Sequence, residues 1–315
     1  MSTETNKLSI IAPALNEEKN IEAFCKRTRK AGKDSGLSFE IVVIDDGSTD
    51  STFSKLIELK SSISELTVIK FRRNFGLIAA LKAGLSQSSG DTIFIFDTDM
   101  QHDPVELLPI LLREIRAGHD VVSGRKTKRK HLFVYRWMAW VGYILYKRVL
   151  GTPFHDTSYS PNAYRRYVFA NLNLYGEMHR FLVPLCYWRG YKVTEVAVPH
   201  HARESGSSKF TPWKGFRAFM DMFIVKFWIG YSLRPIHLFG GIGLLLSGIG
   251  FLVGLYVFYL TTVMERSELA GSTLPLFSVF LIVTGLQFFL SGILADMIAK
   301  TYFKDAPTYD IEKIV

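Results

Sequence analysis

Five short runs of aliphatic and β-branched residues recur along the first half of the chain: Leu8–Ala12, Glu40–Ile44, Thr67–Phe71, Thr92–Phe96 and Asp120–Ser123. Between them lie stretches with helical patterning, Glu17–Lys33, Asp50–Lys60, Phe75–Ser86 and Pro104–Ala117. Strand, helix, strand at starts 25 to 32 residues apart predicts an α/β chain with a doubly wound, mostly parallel sheet. The pattern then changes. The run 131–150 mixes dense aromatic and aliphatic residues with basic ones at intervals. In 212–234, Trp213, Phe216, Phe219, Met220, Phe223, Phe227 and Trp228 recur every three or four residues. Both read as amphipathic helices lying in a membrane interface. The end of the chain has no such alternation. No Lys, Arg, Asp or Glu stands between Arg234 and Glu265, nor between Glu268 and Asp296. Each run exceeds the roughly 20 residues needed to cross a bilayer. They predict a transmembrane hairpin over 235–299, with spans at about 236–260 and 272–295.

Charge sharpens this division. The 315 residues carry a net +9. The part before Ile236 holds +11 and the remainder −2. Lys209, Lys214, Arg217, Lys226 and Arg234 precede the first span, and Lys300 and Lys304 follow the second. The connecting loop has only Arg266 against two Glu. The positive-inside rule then puts both termini on the cytoplasmic side. The expected organisation is a cytoplasmic domain over 1–211, a juxtamembrane helix over 212–234, the hairpin, and a cytoplasmic tail over 300–315. That organisation predicts a multi-pass protein of the inner, cytoplasmic membrane. Glycines in both spans suit close helix contact and allow a homo-oligomer. The stretch Val121–His155 has eight Lys/Arg, Arg125 and Arg136 among them, and no acid. Nucleic acid would explain that charge but not the apolar runs beside it, so no nucleic-acid partner is expected. Anionic lipid and phosphate groups explain both. Cys25 and Cys186 are the only cysteines, which excludes a disulfide scaffold.

In doubly wound sheets ligands gather at the carboxyl ends of the strands. Polar clusters follow all five predicted strands: Pro13-Ala14-Leu15-Asn16-Glu17-Glu18, Asp45-Asp46-Gly47-Ser48-Thr49-Asp50, Arg72-Arg73-Asn74-Phe75-Gly76, Asp97-Thr98-Asp99-Met100-Gln101 and Gly124-Arg125. Ser48 or Asp50 could instead cap a helix, and so could Asp99. No Walker loop and no G-x-G-x-x-G is present. Asp97 and Asp99, at positions i and i+2 of a strand, would face one side. Two hard oxygen ligands suit Mg²⁺ or Mn²⁺ shared with a substrate diphosphate.

The segments APALNEE, VVIDDGSTDST, RRNFG, FDTDMQHDP and SGR resemble glycosyltransferase family 2, with its GT-A nucleotide-diphospho-sugar fold. Further on, GEMHRF, RGYKVTEVAVPHHAR, RESGSSKF and SLRPIHLFGGIG resemble the polyprenyl-phosphate branch of that family, and the likeness spans essentially the whole chain. The resemblance implies a metal-dependent, inverting hexosyltransferase. It would move a sugar from a UDP- or GDP-sugar to undecaprenyl or dolichyl phosphate at the cytoplasmic face. It also implies roles. Pro13, Leu15, Glu17, Asp46 and Asp97 would bind the nucleotide, and Asp97, Asp99 and Gln101 the Mg²⁺ or Mn²⁺. Arg203, Ser207 and Lys209 would form an acceptor loop, with Arg125 and Arg136 toward the lipid phosphate. Asp156, Arg203 and Lys209 would be catalytic. Asp156 would act as a base or orient the sugar; a lipid phosphate is already anionic, which favours orientation.

The sequence departs from the family pattern after Asp156, in Thr157-Ser158-Tyr159-Ser160-Pro161, and at Leu77-Ile78 after RRNFG. The first departure bears on the sugar and the acceptor contact. Two other functions compete. A processive polysaccharide synthase would carry a Gln-x-x-Arg-Trp motif and more spans. A non-catalytic scaffold of the same fold would tend to lose Asp97 and Asp99.

Overall fold

Strand β1, Lys7–Ala14, lies inside the sheet of the first unit, its side chains alternating between two apolar layers. A computed structural model describes residues 7–126, 151, 153–154, 161–170, 172, 181–199, 201, 226–227, 230–231, 234–264 and 272–302. The expected helix at 131–150, most of the one at 212–234 and most of the tail lie outside the described residues.

Strands β2 (Ser38–Asp45), β3 (Leu66–Lys70), β4 (Thr92–Ile95), β5 (Val121–Lys126), β6 (Asn162–Arg165) and β7 (Val193–Val198) complete a seven-stranded sheet of order β3-β2-β1-β4-β6-β5-β7. β1 to β4 are mutually parallel, β6 runs against both β4 and β5, and β7 is parallel to β5. Helices α1 (Ile21–Asp34), α2 (Thr52–Ser62) and α4 (Pro104–Arg116) supply Phe24, Leu56 and Leu111 to one apolar layer. Helices α3 (Leu77–Ser86) and α5 (Leu182–Trp188) supply Leu81 and Leu182 to the other. All five expected strands and four expected helices form, with ends within four residues of expectation. Strands β6 and β7 were not expected. β6 is only NAYR, buried at all four positions, so it shows no alternation to read.

Local chemistry fixes the elements. Asp103 caps α4 by accepting the Val105 N–H at 3.0 Å, with Pro104 starting the helix and Glu106 in its first turn. At the amino ends of the strands, Glu40 accepts from Lys7 Nζ (2.9 Å), Ser9 Oγ (2.6 Å) and the Ser89 N–H (2.6 Å). Arg166 donates to the Gly90 carbonyl and to Ser88 Oγ, closing the same turn.

Residues Met1–Val225 with Tyr309–Val315 form one compact unit, and Lys226–Thr308 a second. The second contains α6 (Pro235–Thr262) and α7 (Leu274–Tyr302), each with a window of mean hydropathy 2.1. Both are long and apolar enough to cross a membrane. They pack closely. A Cβ on Gly243 would lie 2.5 Å from the Gly285 carbonyl oxygen, so only glycine fits there. Ser278 Oγ donates to the Gly250 carbonyl at 2.7 Å, which satisfies a hydroxyl that hydrocarbon could not.

Candidate active site

The carboxyl ends of β2, β1 and β4 are adjacent, and the loops leaving them are bonded to one another. Asn16, at φ +57°, donates its N–H to Ser48 Oγ at 3.0 Å and accepts the Thr49 N–H at 2.9 Å. The Glu17 N–H donates to Thr52 Oγ1 at 2.9 Å, and the Asp46 N–H to the Ala14 carbonyl at 2.9 Å. The hydroxyl and N–H of Thr52, with the N–H of Glu18, outweigh partial burial and hold the Asp50 carboxyl below its ordinary range. Ser48 and Asp50 therefore bind the first loop to the second, although Asp50 also accepts the Thr52 N–H at the start of α2.

The third loop is locked beneath these. Gly47 has φ +75°, and a Cβ there would lie 2.4 Å from the Arg73 carbonyl carbon. Glycine is thus needed for the turn and for the approach of residues 73–74. The Asp46 carboxylate is buried and accepts the N–H groups of Phe75 (2.7 Å) and Gly76 (3.0 Å). Both of its oxygens are engaged within the protein. Asp45, which the sequence reading passed over, is fully buried. Its Oδ1 accepts the Ser48 N–H at 3.1 Å while Oδ2 has no partner.

Asp97 and Asp99 are half-buried. They do not occupy strand positions i and i+2 as expected. β4 ends at Ile95, and the two residues stand in a turn that passes through Met100 at φ +59°. A non-glycine residue in that region is strained, which is common where a loop is shaped for binding. Asp99 does not cap α4, since Asp103 does; its Oδ1 accepts the Gln101 N–H at 3.2 Å. The hydroxyl of buried Thr98 donates to the Pro13 carbonyl at 3.3 Å and brings the turn against β1.

Pro13, Leu15, Glu17, Asp46, Asp97, Asp99 and Gln101 therefore share one edge of the sheet. Leu15 is 42% exposed at its rim, and Glu17 Oε2 accepts from Asn20. Arg125 belongs to the same edge but is farther away. Ser123, Asn162 and Ile95 pair in one row, and Arg125 and Asp97 each stand two residues beyond it. Their strands, β5 and β4, are separated in the sheet by β6. Arg136, Asp156, Arg203, Ser207 and Lys209 lie outside the described residues. A cleft of ≈ 350 Å³ lined by Lys26, Arg29, Lys30 and Lys33 runs along α1, away from these loops.

The donor set can be tested against a divalent metal. Among the described residues no three His, Cys, Asp or Glu side chains converge. Two half-buried carboxylates, Asp97 and Asp99, remain two positions apart. Such a pair fits a hard cation that completes its shell with phosphate oxygens and water.

Residues 9–172 match the model of the family described as glycosyl transferase family 2. The chain belongs to this family. This family 2 glycosyltransferase is 32% identical to the dodecaprenyl-phosphate galacturonate synthase of Rhizobium johnstonii, across 98% of its own length and 93% of that protein's. It is 29% identical to the undecaprenyl-phosphate 4-deoxy-4-formamido-L-arabinose transferase of Pseudomonas fluorescens, across 98% and 90%. It is also 29% identical to a prophage bactoprenol glucosyl transferase homolog of Escherichia coli, across 98% and 99%. Among solved structures it is similar to glucosyl-3-phosphoglycerate synthase from Mycobacterium tuberculosis in complex with Mn²⁺, uridine diphosphate and phosphoglyceric acid. The TM-score is 0.53 at 22% identity, covering 71% of this chain and 79% of that one. The GT-A fold expected of the family 2 chain is the fold it has.

Proposed function

We propose that this glycosyltransferase transfers a sugar from a UDP- or GDP-sugar to a polyprenyl phosphate at a membrane surface, with inversion at the anomeric carbon. The observation that carries the reading is the bonded edge formed by the loops after β1, β2 and β4, joined in one chain to two helices of membrane-spanning length. The names of relatives matched over nearly the whole chain support the acceptor class.

In this reading Pro13, Leu15 and Glu17 line the base and ribose, while Asp46 shapes that pocket by holding the main chain of Phe75 and Gly76. Asp97 and Asp99 would hold Mg²⁺ or Mn²⁺, with Gln101 near them in the same turn. Such an ion, held there, would supply charge stabilisation for the departing nucleoside diphosphate. Arg125, Arg136, Arg203, Ser207 and Lys209 hold the lipid phosphate, whose anionic oxygen attacks the anomeric carbon directly. No proton need leave that nucleophile. Asp156 therefore serves to orient a sugar hydroxyl, and the arginines and lysines orient and desolvate the attacking oxygen. The hairpin anchors the enzyme, with the basic flanks of the spans and the catalytic unit on the cytoplasmic side.

Nucleotide binding tests the donor half. The full chain in detergent should melt at a higher temperature with Mn²⁺ plus either UDP or GDP than with Mn²⁺ alone, because a ligand of the native state stabilises it by mass action. No shift with either nucleotide would contradict the donor assignment.

A further inference from the structure

Helix α7 has two unlike faces. Toward α6 it presents Ser278, Gly285, Phe289 and Gly292, packed closely against Gly250, Gly243 and Phe239. Polar groups between the two helices are satisfied. Ser278 Oγ donates to the Gly250 carbonyl at 2.7 Å, and Ser247 Oγ to the Ile282 carbonyl at 3.4 Å. Gln287 stands two residues from Gly285 and two from Phe289. Two residues turn a helix by about 200°, so Gln287 points away from α6. Its side chain is exposed and has no hydrogen-bond partner among the described residues.

Gln287 is also deep. It lies at the middle of Leu274–Ala299, the stretch of α7 that is long and apolar enough to cross a membrane. At 1.5 Å per residue, the ends of that stretch are about 18–20 Å away on either side. Half of a hydrocarbon core is about 15 Å, so a carboxamide on two methylenes stays inside it. An amide without a partner there is costly.

The neighbours of Gln287 show which partner fits. Phe280, Val283, Gln287, Leu290 and Leu294 succeed one another in steps of three, four, three and four residues. The four apolar members are 53–61% exposed. That spacing is the seam along which two helices pack with a left-handed crossing. Ser291, exposed beside Gln287, permits close approach. Apolar side chains gain little by exchanging lipid for another helix, so the amide is the group that selects the partner. The glycines that suggested contact between copies do not supply it, since Gly243, Gly250 and Gly285 are taken up within the hairpin.

We propose that α7 pairs in the membrane with α7 of a second copy along this seam, the two Gln287 amides hydrogen-bonded to each other. Copies inserted in one orientation bring their α7 helices together parallel, and a two-fold axis along the membrane normal sets each position against itself. The group at the centre of such a seam must complement itself. A carboxamide does, with two N–H donors and a carbonyl acceptor. One polar residue in an otherwise apolar seam also fixes register. The pairing rests on the hairpin crossing the membrane and is independent of the sugar transferred.

The test places the full chain in phosphatidylcholine vesicles, with donor and acceptor fluorophores on the amino termini of separate copies, and dilutes it with lipid. Wild type should show energy transfer that falls on dilution. Gln287→Leu should weaken association roughly three- to twentyfold, the range measured for polar contacts between membrane helices. Gln287→Asn, which keeps the amide, should stay near wild type. Q287L is more apolar, so it should insert and melt at least as well as wild type. Oxidation gives the register. Leu290→Cys, on the seam, should cross-link to its own copy, whereas Leu286→Cys, exposed but off the seam, should not; Cys25 and Cys186 are buried. Wild type that stays monomeric in the membrane at every dilution overturns the pairing. Q287L that associates as tightly as wild type, or L286C that cross-links as readily as L290C, overturns the seam. A chain that alkaline carbonate strips from the vesicles defeats the hairpin and the pairing together. A chain that pairs as described but transfers no sugar defeats the proposed function alone.

Discussion

The carboxylate of Asp46 is bonded to the main chain of Phe75. The Phe75 N–H donates to Oδ1 at 2.7 Å, and its neighbour Gly76 donates to Oδ2 at 3.0 Å. A buried carboxylate that accepts two main-chain N–H groups holds the loop after β3 against the loop after β2. Removing it leaves both donors unpaired. Asp46→Ala should therefore lose about 2–4 kcal/mol of stability, and Asp46→Asn, which keeps one acceptor oxygen, about half as much. Melting of the full chain in detergent checks this, with a drop of roughly 2–4 °C expected per kcal/mol. An unchanged melting temperature in D46A would show that the bonds add nothing.

Asp97 and Asp99 should behave in the opposite way. They are half-buried in a strained turn rather than locked in the core. Replacing either with Asn should leave melting nearly unchanged. It should remove the extra stabilisation that Mn²⁺ with a nucleoside diphosphate confers, and it should lower transfer by about 10²-fold or more, since the ion's charge stabilisation amounts to several kcal/mol. Titration calorimetry with Mn²⁺ and the nucleotide reads the binding loss.

Acid should weaken the other end of the sheet. Burial opposes the charge on Glu40, but the Ser89 N–H, the Ser9 hydroxyl and the Lys7 ammonium outweigh it and hold its pKa at about 2, against an ordinary 4.5. A depressed folded-state pKa means that the unfolded chain binds more protons in this window. The stabilisation is then complete above about pH 4.5 and is lost as the pH falls toward 2. Melting temperatures taken from pH 6 down to pH 2.5 should decline more steeply in wild type than in Glu40→Gln, which should already be lower at pH 6. Parallel curves would exclude the Glu40 network as the source.

In the hairpin, Gly285 meets Ser247 and Gly243, and a Cβ at Gly285 would lie 2.5 Å from the Gly243 carbonyl oxygen. Gly285→Val should force α6 and α7 apart and lower the melting temperature of the full chain by several degrees. Gly241→Ala, at a position with open space around it, should change nothing. Equal melting of G285V and wild type would contradict the packing.

Much of the architecture was legible because apolar runs and the polar clusters repeat together, once for each strand of β1 to β5. β6 escaped because four residues buried on both sides carry no period. The site was legible as a set of loops but less so atom by atom. Adjacent Asp45 and Asp46 look equivalent in sequence. Only the path of residues 73–76 shows that Asp46 is spent on main-chain N–H groups while one Asp45 oxygen is unpaired. The placing of Asp97 and Asp99 on one face of a strand does not hold, since the strand stops at Ile95 and a turn through Met100 presents them. The main-chain bond from His201 to Gln101 joins positions a hundred residues apart, a distance at which one sequence carries no signal.

The account stands most directly on product formation. Full-length protein in detergent should be incubated with Mn²⁺, undecaprenyl phosphate and each radiolabelled UDP- or GDP-sugar in turn, and label then measured in the organic phase. The account predicts organic-extractable label with at least one donor. That label should be abolished by Asp99→Ala, and it should be absent when undecaprenyl phosphate is replaced by undecaprenol, which lacks the anionic oxygen. Folded wild-type protein that yields no lipid-linked label with any of these donors, or a D99A variant that yields as much as wild type, would contradict it.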